Sequence, residues 1–252
     1  MMIAFLLFCG TVCAGEKLTI AAASDLQFVM KEVVSLYRQR SETDIQVVYG
    51  SSGNLFSQIK AGAPYDLFFS ADSAYPKLLK KEGMTADSPK PYATGRIVLW
   101  SRKDSGISVK KGMKVLLDPK VKKIAIANPR HAPYGKRARE SLKYYGLWEK
   151  IQGKIVLGEN ISQTAQFVHT GNAQVGIIAL SLALAPEMKK EGAYLLIPAR
   201  SHKPQEQSFV ILKGVKTEEA YRFAEFTKSK EARRLFKIYG LSLPAKEKDL
   251  SR

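Results

Sequence analysis

Cysteine is scarce in this 252-residue chain, which contains only two. Both of them, Cys9 and Cys13, fall within the first 14 residues, and the rest of the sequence has none. If those 14 residues are removed, the mature chain has no means of forming a disulfide, a thiolate nucleophile or a cysteine metal site.

Several motifs of enzymes and membrane proteins are also missing. No stretch approaches the roughly 18 apolar residues that a membrane-spanning helix requires. There is no His-Glu-x-x-His, no Gly-x-Ser-x-Gly and no phosphate loop ending in Gly-Lys-Ser or Gly-Lys-Thr. The three histidines, His131, His169 and His202, are scattered and lack the spacing of a metal-binding helix. These absences favour a binding protein over an enzyme.

The first 14 residues have the pattern of a signal peptide. An apolar segment, residues 3–9, is followed by small residues that end at Ala14, the expected cleavage point. No Lys or Arg precedes the apolar segment, which is atypical of a signal peptide. A buried core strand is the alternative interpretation of this segment. A lipid anchor at Cys13 is disfavoured because Val12 is a poor residue before such a site. We therefore expect a periplasmic protein.

The charge balance is strongly basic. Forty Lys and Arg residues outnumber 23 Asp and Glu residues, which gives a net charge of +17. Such a charge suits nucleic acid, an acidic membrane surface or the steering of an anionic ligand. The lysines are dispersed and are not interleaved with aromatic residues that could stack on bases. Together with export, this pattern argues against a nucleic-acid partner.

Strand-like and helix-like segments alternate along the chain, which predicts a layered α/β protein. The predicted strands are residues 18–23, 45–49, 66–70, 97–101, 124–127, 155–157, 175–180 and 208–212. The predicted helices are residues 26–37, 55–61, 136–145, 162–170, 218–228 and 231–239. Two lobes fit this order better than one sheet, with residues 15–96 plus 208–252 in lobe I and residues 97–207 in lobe II. The last two helices must then return to lobe I, and crossovers near Arg96 and Gln207 would form a hinge.

Two serines stand where a predicted strand gives way to a helix. Ser24 is followed three residues later by Gln27, as in a capping box, and Ser52 precedes the second helix. A single serine at such a position is usually a helix cap. Both serines, however, would lie at the carboxyl ends of neighbouring parallel strands, where helix N-termini present free N–H groups to an anion.

Lobe II has two further junctions of this kind, at residues 132–135 and 159–162. A tetrahedral dianion has four oxygens that only accept hydrogen bonds, so hydroxyls and amides can hold it without a full counter-charge. Asp25 and Glu159 lie beside these junctions and could form a carboxylate pair for acid–base chemistry. Favourable negative charge at a helix start is the alternative role for both residues.

At these junctions the sequence carries a series of family motifs. They are Ala-Ala-Ala-Ser at 21–24, Gly-Ser-Ser-Gly at 50–53, residues 58–68, Ser-Ala-Asp at 70–72, residues 124–129, Ala-Pro-Tyr-Gly at 132–135 and Gly-Asn-Ala-Gln-Val-Gly at 171–176. In order and spacing, the sequence resembles the periplasmic molybdate-binding proteins of ABC transporters over nearly the whole mature chain. The resemblance implies the two-lobed α/β fold of type II periplasmic binding proteins, with a hinge of two crossover strands and the ligand in the interlobe cleft.

The resemblance also implies a set of ligand contacts. Ser24 and Ser52 would supply hydroxyl and backbone donors from lobe I, while Tyr134 and Ile161 would supply backbone amides from lobe II. All four would contact the oxygens of molybdate or tungstate and none would bind the metal atom; no cofactor is expected. Many relatives add a tyrosine hydroxyl where this chain has Ala179. The phenol of Tyr134 is the candidate replacement.

The function implied by the resemblance is that of a monomeric binding protein, not an enzyme, which delivers the oxyanion to a membrane permease and its cytoplasmic ATPase. One alternative is another tetrahedral oxyanion, such as sulfate, chromate or phosphate. Others are an enzyme on the same scaffold that uses Asp25 or Glu159, and a basic interaction protein without a small ligand. A site of donors alone rejects protonated phosphate, but an Asp25 that faced the ligand would reverse this selection.

Overall fold

The computed structural model describes residues 17–214 and 217–244, with the side chain of Thr217 excepted. The predicted signal peptide, residues 1–14 with Cys9 and Cys13, lies outside the described residues. Within them, none of the helices is long and apolar enough to cross a membrane.

Ten strands form two five-stranded mixed sheets within the described ranges. They are β1 (Lys17–Ala23), β2 (Asp44–Gly50), β3 (Leu67–Ser70), β4 (Lys90–Gly95), β5 (Ile97–Arg102), β6 (Ile124–Ala127), β7 (Ile155–Gly158), β8 (Val175–Ala179), β9 (Gly192–Leu196) and β10 (Gln205–Ile211). The strand order is β2-β1-β3-β10-β4 in the first sheet and β7-β6-β8-β5-β9 in the second. The α/β class predicted from the sequence is confirmed.

Helices cover both sheets. The α-helices are α1 (Gln27–Arg38), α2 (Ser52–Lys60), α3 (Ala74–Lys81), α4 (Pro133–Tyr144), α5 (Ile161–His169), α6 (Leu180–Ala183), α7 (Pro186–Glu191), α8 (Thr217–Phe226) and α9 (Lys230–Ile238). Short 3-10 segments span Ser24–Leu26, Lys103–Ser105, Val109–Leu117, Glu149–Lys154 and Ala199–Ser201. Helix α1 illustrates why they form, since its buried residues recur at helical spacing and face the sheet: Val29, Met30, Val33, Val34 and Tyr37.

The register of the first sheet brings two chain turns side by side. Strand β1 runs parallel to β2 and β3, and Ala23 at its carboxyl end pairs with Gly50 at the end of β2. The chain therefore leaves both strands at the same edge of the sheet. At this edge the start of α2 lies beside the 3-10 turn that precedes α1. The core of β1 is fully buried, as expected for a strand with helices on both faces.

The second sheet repeats this arrangement. Strand β6 runs parallel to β7 and β8, and Ala127 at the end of β6 pairs with Gly158 at the end of β7. Helices α4 and α5 follow these two strands, so their N-termini also meet at one edge. Each sheet thus presents two helix starts at the carboxyl ends of its parallel strands.

The chain passes between the sheets twice. It first crosses from β4 to β5 at Arg96, and it returns after β9 to form β10, which pairs with β3 and β4. Strand β10 begins at Gln205, three residues before the predicted strand, so Gln207 pairs with Ala93 in the first sheet. Helices α8 and α9 pack against the same sheet, with the ring of Phe223 6.4 Å from that of Phe69 in β3 and the ring of Phe236 6.0 Å from that of Tyr92 in β4. We propose that each sheet with its helices is one lobe.

Candidate functional site

The four strand-to-helix junctions meet at one small cavity. Its volume is about 10 Å³, and its lining residues are Ala23, Ser24, Asp25, Gly50, Ser51, Ser52, Ala71, Ala132, Pro133, Tyr134 and Ile161. The structure therefore brings together all four residues predicted from the sequence. Pockets for organic ligands usually span roughly 300–1,000 Å³. The space between the junctions is far below that range, so in this arrangement the cavity is too small for an organic ligand.

Ser24 does not cap a helix, so the capping-box prediction for this residue is wrong. It begins the 3-10 turn between β1 and α1, and no side chain caps that turn. Its hydroxyl instead donates to Oδ1 of Asn160 (3.2 Å) and accepts from the backbone N–H of Ser162 (3.3 Å). Because both partners belong to the start of α5, the Ser24 hydroxyl lies at a helix N-terminus of the opposite sheet.

The cap of α2 is Ser51, and the capping prediction for Ser52 is wrong by one residue. The Ser51 hydroxyl accepts from the backbone N–H of Asn54 at 3.4 Å. The Ser52 hydroxyl accepts from the backbone N–H of Ala71 at 2.9 Å and is fully buried. This contact fixes Ser52 against the end of β3, on the cavity wall.

Tyr134 and Ile161 both lie in the first turn of a helix. First-turn N–H groups have no acceptor within their own helix, and they carry the positive end of the helix dipole. Pro133 occupies the first position of α4, where a missing N–H does no harm. Asn160 caps α5 by accepting from the backbone N–H of Gln163 at 2.9 Å. The geometry thus leaves first-turn amides at Tyr134 and Ile161 for an anion.

Glycine at position 135 lets α4 start close to β6. A Cβ atom there would lie 2.1 Å from the carbonyl oxygen of Ala127, a distance that backbone atoms cannot accommodate without moving. Only glycine therefore fits at residue 135, because β6 lies directly against it. This close approach sets the depth at which the first turn of α4 reaches the cavity.

The phenol of Tyr134 faces Asp25 in the interior between the sheets. It donates to Oδ2 of Asp25 at 2.8 Å, and Nε2 of Gln207 donates to the same oxygen at 2.7 Å. Gly95 makes room for this contact, because a Cβ there would lie 2.2 Å from the phenol oxygen. The phenol's only hydrogen is directed at Asp25, which differs from the expectation that it donates to the ligand in place of the hydroxyl missing at Ala179.

Burial controls the ionisation of this cluster. Asp25 is 1% exposed, and desolvation raises the pKa of its carboxyl from 3.8 to about 6, against the opposing effect of the hydrogen bonds from Gln207 and Tyr134. Desolvation also raises the pKa of Tyr134 well above its ordinary value, with the neighbouring Asp25 adding to the effect. The tyrosine is therefore a neutral donor at physiological pH, while Asp25 titrates near neutrality.

A second set of contacts joins the sheets beside the cavity. The Ser51 hydroxyl lies 2.8 Å from Nδ1 of His131, and the backbone N–H of Gly53 donates to the carbonyl of His131 at 2.9 Å. Nδ2 of Asn54 donates to Glu159 at 2.5 Å. Residues from the first sheet (51, 53 and 54) thus contact residues that follow β6 and β7.

These contacts bear on the alternative of an enzyme. Glu159 lies 3.6 Å from Nε2 of His131, beyond hydrogen-bonding distance, and its side chain is largely exposed. Asp25 is buried with entirely different partners, so the two carboxylates do not form the acid–base pair that the sequence allowed. Among residues 17–214 and 217–244, no group of three or more His, Cys, Asp and Glu side chains is arranged to hold a metal ion.

Sequence reasoning missed two residues that position the site. Asn160 joins the Ser24 hydroxyl to the start of α5, and Gln207 joins Asp25 to β10. The Asn before an apolar helix start is a recognisable cap signal. Gln207 carries no local signal, because its role arises only when β10 returns to the first sheet.

A small cavity between two α/β units, lined by helix starts and serine side chains, is typical of a protein that binds a compact anionic solute. The family comparison agrees with this class. The chain belongs to the bacterial extracellular solute-binding proteins, whose family model matches residues 18–242.

Named relatives and a solved structure match the chain over most of its length. It is 34% identical over 229 residues to the molybdate-binding protein ModA of Rhodobacter capsulatus, covering 90% of this chain and 88% of the relative. It is 35% identical over 240 residues to the ModA protein of Azotobacter vinelandii, covering 92% of each. The structure of the Azotobacter vinelandii periplasmic molybdate-binding protein superposes with a TM-score of 0.85 at 31% identity, covering 90% of this chain and 100% of that one.

Proposed function

We propose that this protein is the extracytoplasmic binding component of an ABC importer and that it captures molybdate or tungstate in the cavity between its sheets. The observation that carries the proposal is the meeting of four helix starts, with Ser24, Ser52, Tyr134 and Ile161, on one small cavity. Relatives named as molybdate-binding proteins, at 34–35% identity over about 90% of the chain, support the choice of ligand.

The donors around the cavity suit a dianion held without a formal counter-charge. None of the described lining residues is a lysine, an arginine or a histidine. The Ser52 hydroxyl would donate from the first sheet, as would the Ser24 hydroxyl once its hydrogen turns from Oδ1 of Asn160 to the ligand. First-turn amides of Tyr134 and Ile161 would donate from the second sheet. Charge-assisted hydrogen bonds of this kind are short and about twice as strong as neutral ones.

Capture requires the two lobes to separate and close. Ser24 bridges to α5 and Ser51 to His131, so contacts between the sheets already surround the cavity. We propose that these contacts break when the lobes open at Arg96 and before Gln205, and that the oxyanion joins the two halves when they close. The closed form would dock on a membrane permease whose cytoplasmic ATPase drives release. No reaction occurs, and the protein would work in the periplasm as a monomer.

Calorimetric titration with molybdate, tungstate, sulfate and phosphate tests the proposal. Molybdate and tungstate should bind at one site per chain and more tightly than sulfate, with phosphate weakest. If sulfate or phosphate binds more tightly than molybdate, the proposed ligand is wrong, although the protein is still an oxyanion-binding protein. An absence of heat with all four anions would remove the proposal altogether.

A further inference from the structure

One oxygen of the Asp25 carboxylate has no hydrogen-bond partner among the described residues. Oδ2 accepts from both Tyr134 and Gln207, whereas Oδ1 is buried and accepts from no other described residue. Asp25 itself lines the cavity and is 1% exposed. Buried polar atoms almost always have a partner, and Asp25 is one of the residues that line the cavity, so a bound ligand is the candidate partner for Oδ1.

The groups that face Asp25 are uncharged. From α4 comes the phenol of Tyr134, from β10 the amide of Gln207, and from α6 the hydroxyl of Ser181, which donates to the Asp25 carbonyl at 2.8 Å. From β4 comes Tyr92, a phenol whose pKa is raised well above the ordinary value by burial and also by Asp25. None of these groups carries a positive charge that could offset an ionised Asp25 beside a dianion.

We propose that the oxyanion is bound together with one proton, and that this proton resides on Oδ1 of Asp25, which donates it to an oxygen of the ligand. The inference rests on the function proposed above and names a further residue that contacts the ligand. The proton comes from solvent; the carboxylate becomes a carboxylic acid, and no bond within the oxyanion is formed or broken. Oδ2 remains the acceptor for Tyr134 and Gln207, so the existing hydrogen bonds persist.

Two properties of the site support this assignment. Burial already raises the pKa of Asp25 to about 6, and a dianion in the adjacent cavity would raise it further, because like charges disfavour ionisation. The neutral acid also supplies a hydroxyl donor, and this chain has the buried Ala179, at the end of β8, where many relatives carry a tyrosine. Asp25 would thus replace the tyrosine hydroxyl that the sequence lacks.

Calorimetry on the wild-type protein tests the proposal directly. Molybdate is titrated at pH 7.5 in two buffers of different ionisation enthalpy, and the difference in heat gives the number of protons taken up. We expect about one proton per molybdate, and a Kd that rises about tenfold per pH unit above the pKa of the unliganded carboxyl, measured from pH 6.5 to 8.5. Molybdate binding without proton uptake and with a Kd independent of pH would overturn the proposal and leave the proposed function standing.

Asp25→Asn provides the matched variant. Its amide can donate to the ligand and still accept from Tyr134 and Gln207, but it cannot titrate. It should bind molybdate without proton uptake and more tightly than the wild type at pH 8.5. If this variant does not fold, the number of protons that the wild type takes up on binding molybdate still tests the proposal. Preferential binding of singly protonated phosphate to the wild type would show an ionised Asp25 acting as acceptor and would overturn the proposal; no binding of any oxyanion would remove it together with the proposed function.

Discussion

Each serine of the cavity is held by contacts outside its own helix. The Ser24 hydroxyl lies against Asn160 and Ser162, and the Ser52 hydroxyl lies against the backbone of Ala71. Because neither hydroxyl caps a helix in the described structure, its removal should affect the ligand more than the fold.

Replacing Ser24 or Ser52 by Ala should weaken molybdate binding by about ten- to a hundredfold each, the value of a hydrogen bond to a charged group. The cost in unfolding free energy should be about 1 kcal/mol. Ser229→Ala is the matched control, because that serine caps α9 by accepting from the backbone N–H of Ala232. The control should lose about 1 kcal/mol of stability and keep its Kd. Equal affinities for all three variants would contradict the assignment of these hydroxyls.

Asp25 should make stability depend on pH. The folded state holds the pKa of this carboxyl at about 6, above its value of 3.8 in the unfolded chain, so the folded state binds a proton more tightly. The contribution of Asp25 to the unfolding free energy is therefore fully present below pH 4 and is lost as the pH rises through 6. The shift corresponds to about 3 kcal/mol.

Asp25→Asn removes this dependence while keeping both hydrogen bonds to the side-chain oxygen. Urea unfolding of both proteins from pH 4 to pH 8 measures the difference in unfolding free energy. The unfolding free energy of the variant should increase relative to that of the wild type as the pH rises, and most of this change should fall between pH 4 and 6. A difference that stays constant over this range would show that burial does not perturb the carboxyl.

The strand-to-helix junctions were predicted from the sequence pattern, and the ligand contacts at them from the family resemblance. Neither predicted the partners that these residues have within the fold. A serine after a strand and before a helix signals either a cap or a ligand contact, and local sequence contains nothing that distinguishes the two. Ser24 meets Asn160 only because the second sheet approaches, 136 residues along the chain. The tie between Asp25, Tyr134 and Gln207 is likewise a product of three distant segments.

Helix α4 depends on a glycine for its position. Because residue 135 is a glycine, its backbone can contact the backbone of Ala127. The methyl group of an alanine at this position would overlap the carbonyl oxygen of Ala127. Gly135→Ala should therefore displace the first turn of α4 from β6, lower the unfolding free energy by about 1–3 kcal/mol and weaken molybdate binding.

Gly153→Ala is the matched control for this change, since a Cβ at Gly153 would meet nothing within 4 Å. Its effect on stability should lie within about 0.5 kcal/mol, with an unchanged Kd. Thermal or urea unfolding and calorimetry of the two variants give the comparison. A Gly135→Ala protein as stable and as tight-binding as the control would show that α4 is free to shift at no cost.

Elements with strong periodicity were predicted well, and weak ones were missed. The predicted strand 124–127 coincides with β6, and helix 231–239 differs from α9 by one residue at each end. Helix α3, strand β4 and strand β9 were not predicted. Strand β4 contains Pro91 and ends in glycine, and β9 is an edge strand with several exposed residues, so neither shows a regular apolar pattern.

The whole molecule carries a charge of +17, although no described cation lines the cavity. Such a charge acts at long range and increases the rate at which an anion arrives, whereas the local donors set how long it stays. The association rate of molybdate should therefore fall as ionic strength rises, and the dissociation rate should change little. Stopped-flow fluorescence from 20 to about 500 mM salt separates the two rates. A salt effect confined to dissociation would place cations in the site itself.

The central claim is that the oxyanion is bound where the four helix starts meet. A crystal structure with tungstate, using the anomalous scattering of the metal, measures this directly. The account predicts one strong anomalous peak between the two sheets, with oxyanion oxygens about 2.7–3.2 Å from the hydroxyls of Ser24 and Ser52 and from the backbone nitrogens of Tyr134 and Ile161. A peak at any other place, or none at saturating tungstate, would contradict it.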